Sequence, residues 1–253
     1  MMMRRVGWLC LVWIISLPLF SQQLRREYER ELSVGCTGGI GLSRVSFLHN
    51  NAYRMNELGN QGFTTGYRMG IVTRFLSQRH FGIQLELNYV RSGWSELFYD
   101  DSGISIVNDY DMQNVRLTRR LHYLEIPFLA HIYFGERRVR FFVELGPEVS
   151  VMMKYGDLTW NIPETDERRK AIPLDDPRLG DDYGRLDYGL AGGIGFDIQT
   201  GKVHTIIGGR FTYAFKDLYG NNKSDVFQRS NNQLINITAT ILVPVLKYKE
   251  KKR

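Results

Sequence analysis

Five histidines and a recurring set of carboxylates carry most of the acid–base potential of this chain. The histidines are His49, His80, His122, His131 and His204. The carboxylates Glu125, Glu144 and Glu148 sit inside near-continuous apolar runs, "YLEIPFLAHIYF" (123–134) and "RFFVELGPEVSV" (140–151). A histidine with a serine and a carboxylate in hydrogen-bond reach could transfer an acyl group. His122 is the first histidine to weigh for such a role. Its neighbours on the same face, Arg91, Gly93, Val151 and Met153, supply no hydroxyl. The expectation is therefore no catalytic residue and no enzyme. No cysteine–histidine spacing matches a metal site, so neither metal nor cofactor is expected. Asp175, Asp176, Asp181 and Asp182 offer the oxygen ligands that calcium takes, but their spacing fits no dedicated calcium loop. "RRVR" (137–140) reads as a solvated basic turn.

An ionised carboxylate left unpaired among apolar groups costs several kcal/mol or more. The elements holding these glutamates must therefore give them a polar side. Period-two alternation does so. In "GIQLELNY" (82–89), Ile83, Leu85, Leu87 and Tyr89 share one face, and Gln84, Glu86 and Asn88 the other. In "LDYGLAGGIGFDI" (186–198) the second face holds Asp187, Gly189, Ala191, Gly193, Gly195 and Asp197. Glu125, Pro127, His131 and Tyr133 oppose Leu124, Ile126, Phe128, Ala130, Ile132 and Phe134 in the same way.

Eight such segments are expected, near 31–47, 62–76, 81–95, 118–134, 138–153, 184–198, 203–216 and 232–246. They are long for soluble strands, whose usual length is about 5–6 residues. Short connections (77–80, 135–138, 199–202) alternate with long ones (48–61, 96–117, 154–183, 217–231). That alternation is the pattern of a membrane barrel with periplasmic turns and external loops. Phe75, Phe81, Phe134 and Phe141 flank the short turns, where an aromatic girdle belongs.

The fold class expected is all-β: an eight-stranded antiparallel transmembrane β-barrel of the outer-membrane type with a plugged polar lumen. An eight-stranded barrel has room inside for side chains only. The expected lumen charge network is Arg68, Glu86, Glu125, Glu144, Glu148, Asp187 and Arg210, with Arg74 as a further base. Glycines on the same face, such as Gly39, Gly41, Gly193 and Gly195, leave room for the arginines. Pro127 and Pro147 each remove a ladder donor, so local bulges are expected there.

Residues 1–21 have a basic start (Arg4, Arg5), an apolar run too short to span and a small residue, Ser21. They read as a signal peptide. Residues 22–30 would be a periplasmic segment, 31–246 the barrel and 247–253 a basic tail. Cys10 would leave with the signal, so Cys36 cannot form an intramolecular disulfide. The chain has 33 basic and 27 acidic residues, net +6. Without Arg4 and Arg5 the excess is +4, too small and too scattered to argue for nucleic acid.

"LHYLEIPFLAHIYF" followed by "VRFFVELGPEVSV" resembles the PorT-type outer-membrane β-barrel family of the Bacteroidetes. "LDYGLAGGIGFDI" is similar to that family's later Asp- and Gly-rich strand. The resemblance implies an eight-stranded barrel in the bacterial outer membrane without known enzymatic activity. It also implies a structural or partner-binding role, in some members accessory to type IX secretion and gliding. Its partners would be outer-membrane lipid and other envelope or secretion-complex proteins. A small-solute porin is the alternative, and an outer-membrane lipid-modifying enzyme stands behind it. The chain departs from the usual pattern at its C-terminus, where "LKYKEKKR" replaces a terminal aromatic residue.

Overall fold

The computed structural model describes residues 30–49, 60–98, 106–107, 110–111, 113–135, 138–171, 185–218 and 227–248. The expected signal peptide, most of the expected periplasmic segment, the acidic residues 175–182 and the end of the basic tail lie outside the described residues. Eight long strands form the fold: β1 (Arg30–His49), β2 (Thr64–Gln78), β3 (Phe81–Leu97), β4 (Arg116–Phe134), β5 (Val139–Trp160), β6 (Leu186–Thr200), β7 (Val203–Asp217) and β8 (Phe227–Tyr248). Each pairs antiparallel with the next, and β8 pairs back onto β1 from Arg30↔Tyr248 to His49↔Phe227. The sheet is therefore a closed ring. Closure satisfies every strand's backbone groups within the sheet, which a lipid environment demands.

The alternation read from the sequence puts its apolar face outward. Ile40 is 72 % exposed and Ile237 67 %, whereas Arg68 is 1 % and Glu86 2 % exposed. A soluble barrel would show the reverse, so the wall is built for lipid and the lumen for polar groups. Phe134, Phe141 and Phe196 pack tilted and edge-on along the outside near the turns, with centroids 5.9 and 5.8 Å apart. Arg79–His80 and Gly201–Lys202 make two of the tight turns, and Gly201 takes φ 61°, which favours glycine.

The strands run further than expected at the loop end, β5 to Trp160 and β8 from Phe227. There the hairpins leave the apolar zone and alternation lapses, while pairing continues. Phe98, Val115 and Leu117 pack with Tyr110, Leu158, Trp160 and Ile162 at that end. The side chain of Asn161 clasps the same region, accepting from Arg116 N at 2.8 Å and donating to Asn114 O at 3.0 Å.

The expected bulges at Pro127 and Pro147 are not found. The register does not shift at Pro127↔Glu148 or Pro147↔Leu190. Each proline removes one donor and the ladder lapses beside it: Ile126 and Pro127 have no pair on β3, and Gly146 and Pro147 none on β4, yet pairing resumes in the same register. Between β4 and β5 the register shifts fall instead between Arg119 and Leu121 and between His122 and Tyr123, nearer the loops.

Candidate functional site

The lumen is filled in three layers. At the loop end Val45, Trp94, Leu121, Tyr123 and Met152 form an apolar cluster. The Trp94 indole donates to Glu96 Oε1 at 2.7 Å, and its ring meets Phe47 edge-on at 5.5 Å.

Below it lies the central ionic layer. Arg68 on β2 reaches across the lumen to β4 and donates to Glu125 Oε2 at 2.5 Å. The same Nη2 is 3.8 Å from Glu148 Oε2 on β5. Arg210 on β7 spans two more strands. Its Nη1 and Nη2 donate to the two oxygens of Glu86 on β3 at 2.7 and 2.8 Å. Its Nε donates to Glu144 Oε1 on β5 at 2.6 Å. This fork-on-carboxylate geometry is the strong form of the interaction. Gln84 and Asn88 add donors to Glu86 at 2.6 and 2.7 Å. His131 Nε2 stands 3.2 Å from Glu144 Oε2. Gly193 separates Glu144 from Arg210, and a Cβ there would lie 2.7 Å from Glu144 Oε1 and 2.6 Å from Gly209 O. Glycine at this position is what lets the two charges meet.

The third layer lies nearer the turns and centres on Asp197 of β6. Arg140 donates to Asp197 Oδ2 at 2.6 Å and Arg74 at 3.3 Å, while His204 Nδ1 sits 3.0 Å from Oδ1. His204 Nε2 is 3.1 Å from Glu31 Oε1, and Lys247 is 3.2 Å from Glu31 Oε2. Arg74 also donates to the Tyr133 hydroxyl at 2.9 Å, and Arg140 lies 4.5 Å over the Tyr133 ring. Val72, Leu76, Phe142, Ile206 and Leu242 fill the space around Tyr133.

The family model described as "Outer membrane protein beta-barrel domain" matches residues 20–220. The chain belongs to this outer-membrane β-barrel family. The bacterial outer membrane is accordingly its location, and membrane lipid its surroundings. No curated protein matches this barrel. Among solved structures, Ail of Yersinia pestis, crystallised with the heparin analogue sucrose octasulfate, is 12 % identical. That alignment covers 84 % of this chain and 99 % of Ail, at a TM-score of 0.36. Neisserial surface protein A is 11 % identical over 83 % of this chain and 96 % of its own, at 0.38. OprG of Pseudomonas aeruginosa is 11 % identical over 88 % and 96 %, at 0.40. At TM-scores below 0.5 these likenesses carry nothing about function.

Of the residues expected in the barrel's network, Arg68, Glu86, Glu125, Glu144, Glu148 and Arg210 meet in the central layer. Asp187 does not join them. It sits near the loop end of β6, where its Oδ1 accepts from the backbone N–H of Tyr188 at 2.7 Å and of Lys216 at 3.3 Å. Its parity is right and its height is wrong. Arg140 also corrects an expectation: it is no part of a solvated turn but is buried against Asp197. The contacts among Asp197, Arg140, His204, Glu31 and Tyr133 lie beyond the expected network. Alternation puts Tyr133 and Asp197 on the inward face, and carried one pair further it puts Arg140 there too, with the parity of Glu144.

Proposed function

We propose that this outer-membrane barrel is a non-enzymatic, plugged barrel with a structural or partner-binding role. We further propose that it is of the PorT type of the Bacteroidetes and accessory to a type IX secretion or gliding machine. The observation that carries the first part is Arg210 on β7, which reaches across the lumen to Glu86 on the opposite strand, β3, and also holds Glu144 on β5. A solute path would have to break these contacts. The apolar cluster around Trp94 lies across the same path. The non-enzymatic reading is supported by His122, whose Nδ1 stands 2.5 Å from the Tyr89 hydroxyl. The PorT-type and secretion reading is supported by the Tyr-Leu-Glu-Ile-Pro strand (123–127) and the Gly-Pro strand (146–147) that follows it. On this reading the surfaces left to act are the loops and the outer wall.

Three measurements test this. Purified barrel in a planar bilayer should show no steady conductance, and stable single-channel steps would restore the porin reading. Gentle extraction of the outer membrane followed by affinity capture should bring down other secretion-machine proteins. Capture of the barrel alone would remove the accessory role. Membrane lipids should be unchanged in a His122→Ala strain, and a lost lipid modification would refute the non-enzymatic reading.

A further inference from the structure

The two ends of the barrel differ in charge. At the loop end exposed groups of both signs are mixed, Asp111, Glu164 and Glu167 with Arg116, Lys170 and Arg185. At the turn end the exposed charged residues are all basic: Arg30, Arg138, Lys202 and Lys247, with Arg79 half-buried in the first tight turn. No carboxylate is exposed there among the described residues. The five cations fall on every junction of the ring. Arg79 lies between β2 and β3, Arg138 leads into β5, Lys202 lies between β6 and β7, and Arg30 and Lys247 lie on the paired ends of β1 and β8. The two carboxylates nearest this end are already engaged. Asp197 is held by Arg74, Arg140 and His204, and Glu31 by His204, Lys247 and the Ser33 hydroxyl. Arg138 and Lys202 therefore meet no carboxylate among the described residues.

These two cations belong to the mouth of the barrel and not to its lipid wall. Arg138 continues the inward parity of Arg140 on β5, while Val139 between them is exposed on the outer face. The Arg138 carbonyl accepts from Gln199 N at 2.7 Å, so β5 begins beside the end of β6. Lys202 tips the hairpin that follows, two residues outside the buried His204. The outward positions near this end are the phenylalanines Phe81, Phe134, Phe141 and Phe196, which offer a phosphate headgroup nothing to bind. A lone exposed cation attracts a counter-ion only weakly. A ring of them with no carboxylate between adds up to a field that a chain of several carboxylates answers. The sequence beyond Tyr248, "KEKKR", is basic as well. Short turns mark the periplasmic side of such barrels. We propose that the turn-end mouth, with Arg138 and Lys202 on its rim, docks an acidic segment of a periplasmic protein. This rests on the partner-binding reading and adds a third surface to the loops and the outer wall. It needs neither the PorT type nor the secretion role.

Fluorescence anisotropy of a labelled oligo-glutamate peptide, with the full barrel in nanodiscs of neutral lipid at low salt, tests the mouth directly. Wild type should bind the peptide. Arg138→Glu with Lys202→Glu should weaken binding by about tenfold or more, since like charges then face each other. Arg116→Glu with Lys170→Glu, the same change of charge at the loop end, should leave binding unchanged. Each variant is first checked for barrel formation by its heat-dependent gel mobility. Equal binding by wild type and the turn-end variant, or an equal loss in the loop-end variant, would overturn the site. Native mass spectrometry should find no more phosphatidylglycerol retained by wild type than by the turn-end variant, and a surplus on wild type would assign the rim to lipid headgroups instead. Affinity capture separates the proposal from the reading beneath it. Proteins that come down with wild type should be lost from the turn-end variant. Their retention by that variant would overturn the mouth as the docking site and leave the partner-binding reading standing. Nothing captured even by wild type would sink the partner-binding reading itself, and the docking proposal with it.

Discussion

In the central layer of the lumen an arginine is shared by two carboxylates; in the layer nearer the turns a carboxylate is shared by two arginines and a histidine. Arg210 gathers Glu86 and Glu144, and Asp197 gathers Arg74, Arg140 and His204. The central layer carries more carboxylates than arginines, Arg68 also serving both Glu125 and Glu148. The layer nearer the turns has the opposite excess. The two stack in one narrow lumen, so the surplus of each lies next to the surplus of the other. The layers also differ in what surrounds the hub. Arg210 is held by charge, with amide donors bracing its partner Glu86, whereas the Asp197 arginines lean on the Tyr133 ring and a ring of apolar side chains. Losing a hub should therefore hurt the central layer more.

The largest effect is expected for Arg210→Ala. It leaves two buried carboxylates facing each other without their cation, which at a fully buried site costs about 3–5 kcal/mol. Thermal unfolding in detergent should show the largest drop of any single substitution in the lumen. Adding Glu86→Gln and Glu144→Gln to that variant should recover most of the loss, because the penalty belongs to unpaired charge and not to missing contacts. Failure to recover would mean that packing, not charge, dominates the central layer.

Asp197→Asn comes next. It keeps the acceptor shape but removes the charge that holds Arg74 and Arg140 together, a loss of about 1.5–3 kcal/mol on the scale of charged hydrogen bonds. A larger drop than for Arg210→Ala would reverse the ranking of the two layers. Gly193→Ala should cost about 1–3 kcal/mol by overpacking, because its methyl would press on Glu144 and on the Gly209 carbonyl. Its effect should vanish in the Glu144→Gln, Arg210→Ala background if the contact with the ion pair is what it disturbs. Arg229→Ala, exposed at the loop end of β8, should leave the melting temperature where it was.

The fold could be read closely from the sequence because one physical rule, alternation against lipid, runs through every strand. It told Ile83, Leu85 and Leu87 from Gln84, Glu86 and Asn88 without ambiguity. It lapsed where β5 continues through "GDLTW" and β8 begins at "FQRSNNQ", because hairpins beyond the lipid have no apolar side to display. The lumen was half legible. Parity says that Glu125, Glu144 and Arg210 face inward, but which charges meet depends on the stagger of strands around the ring, which no local pattern encodes. Asp187 shows the gap: inward by parity, it sits too near the loops to meet an arginine and bonds backbone instead. Asp197 shows the converse, a lone acid beside a turn whose partners come from three different strands.

The seam between β1 and β8 bears on assembly. It joins the first described strand to the last, over the full span from Arg30↔Tyr248 to His49↔Phe227. No other neighbouring pair of strands is so distant along the chain, so closing the ring waits for delivery of β8. Until then β1 presents an unpaired edge with an apolar outer face, open to any other extended chain. The final zipping event is also the slowest kind to find by diffusion, since its contacts are the least local in the molecule. A chain cut short before residue 227 would keep seven strands and every tight turn, yet could never hide that edge.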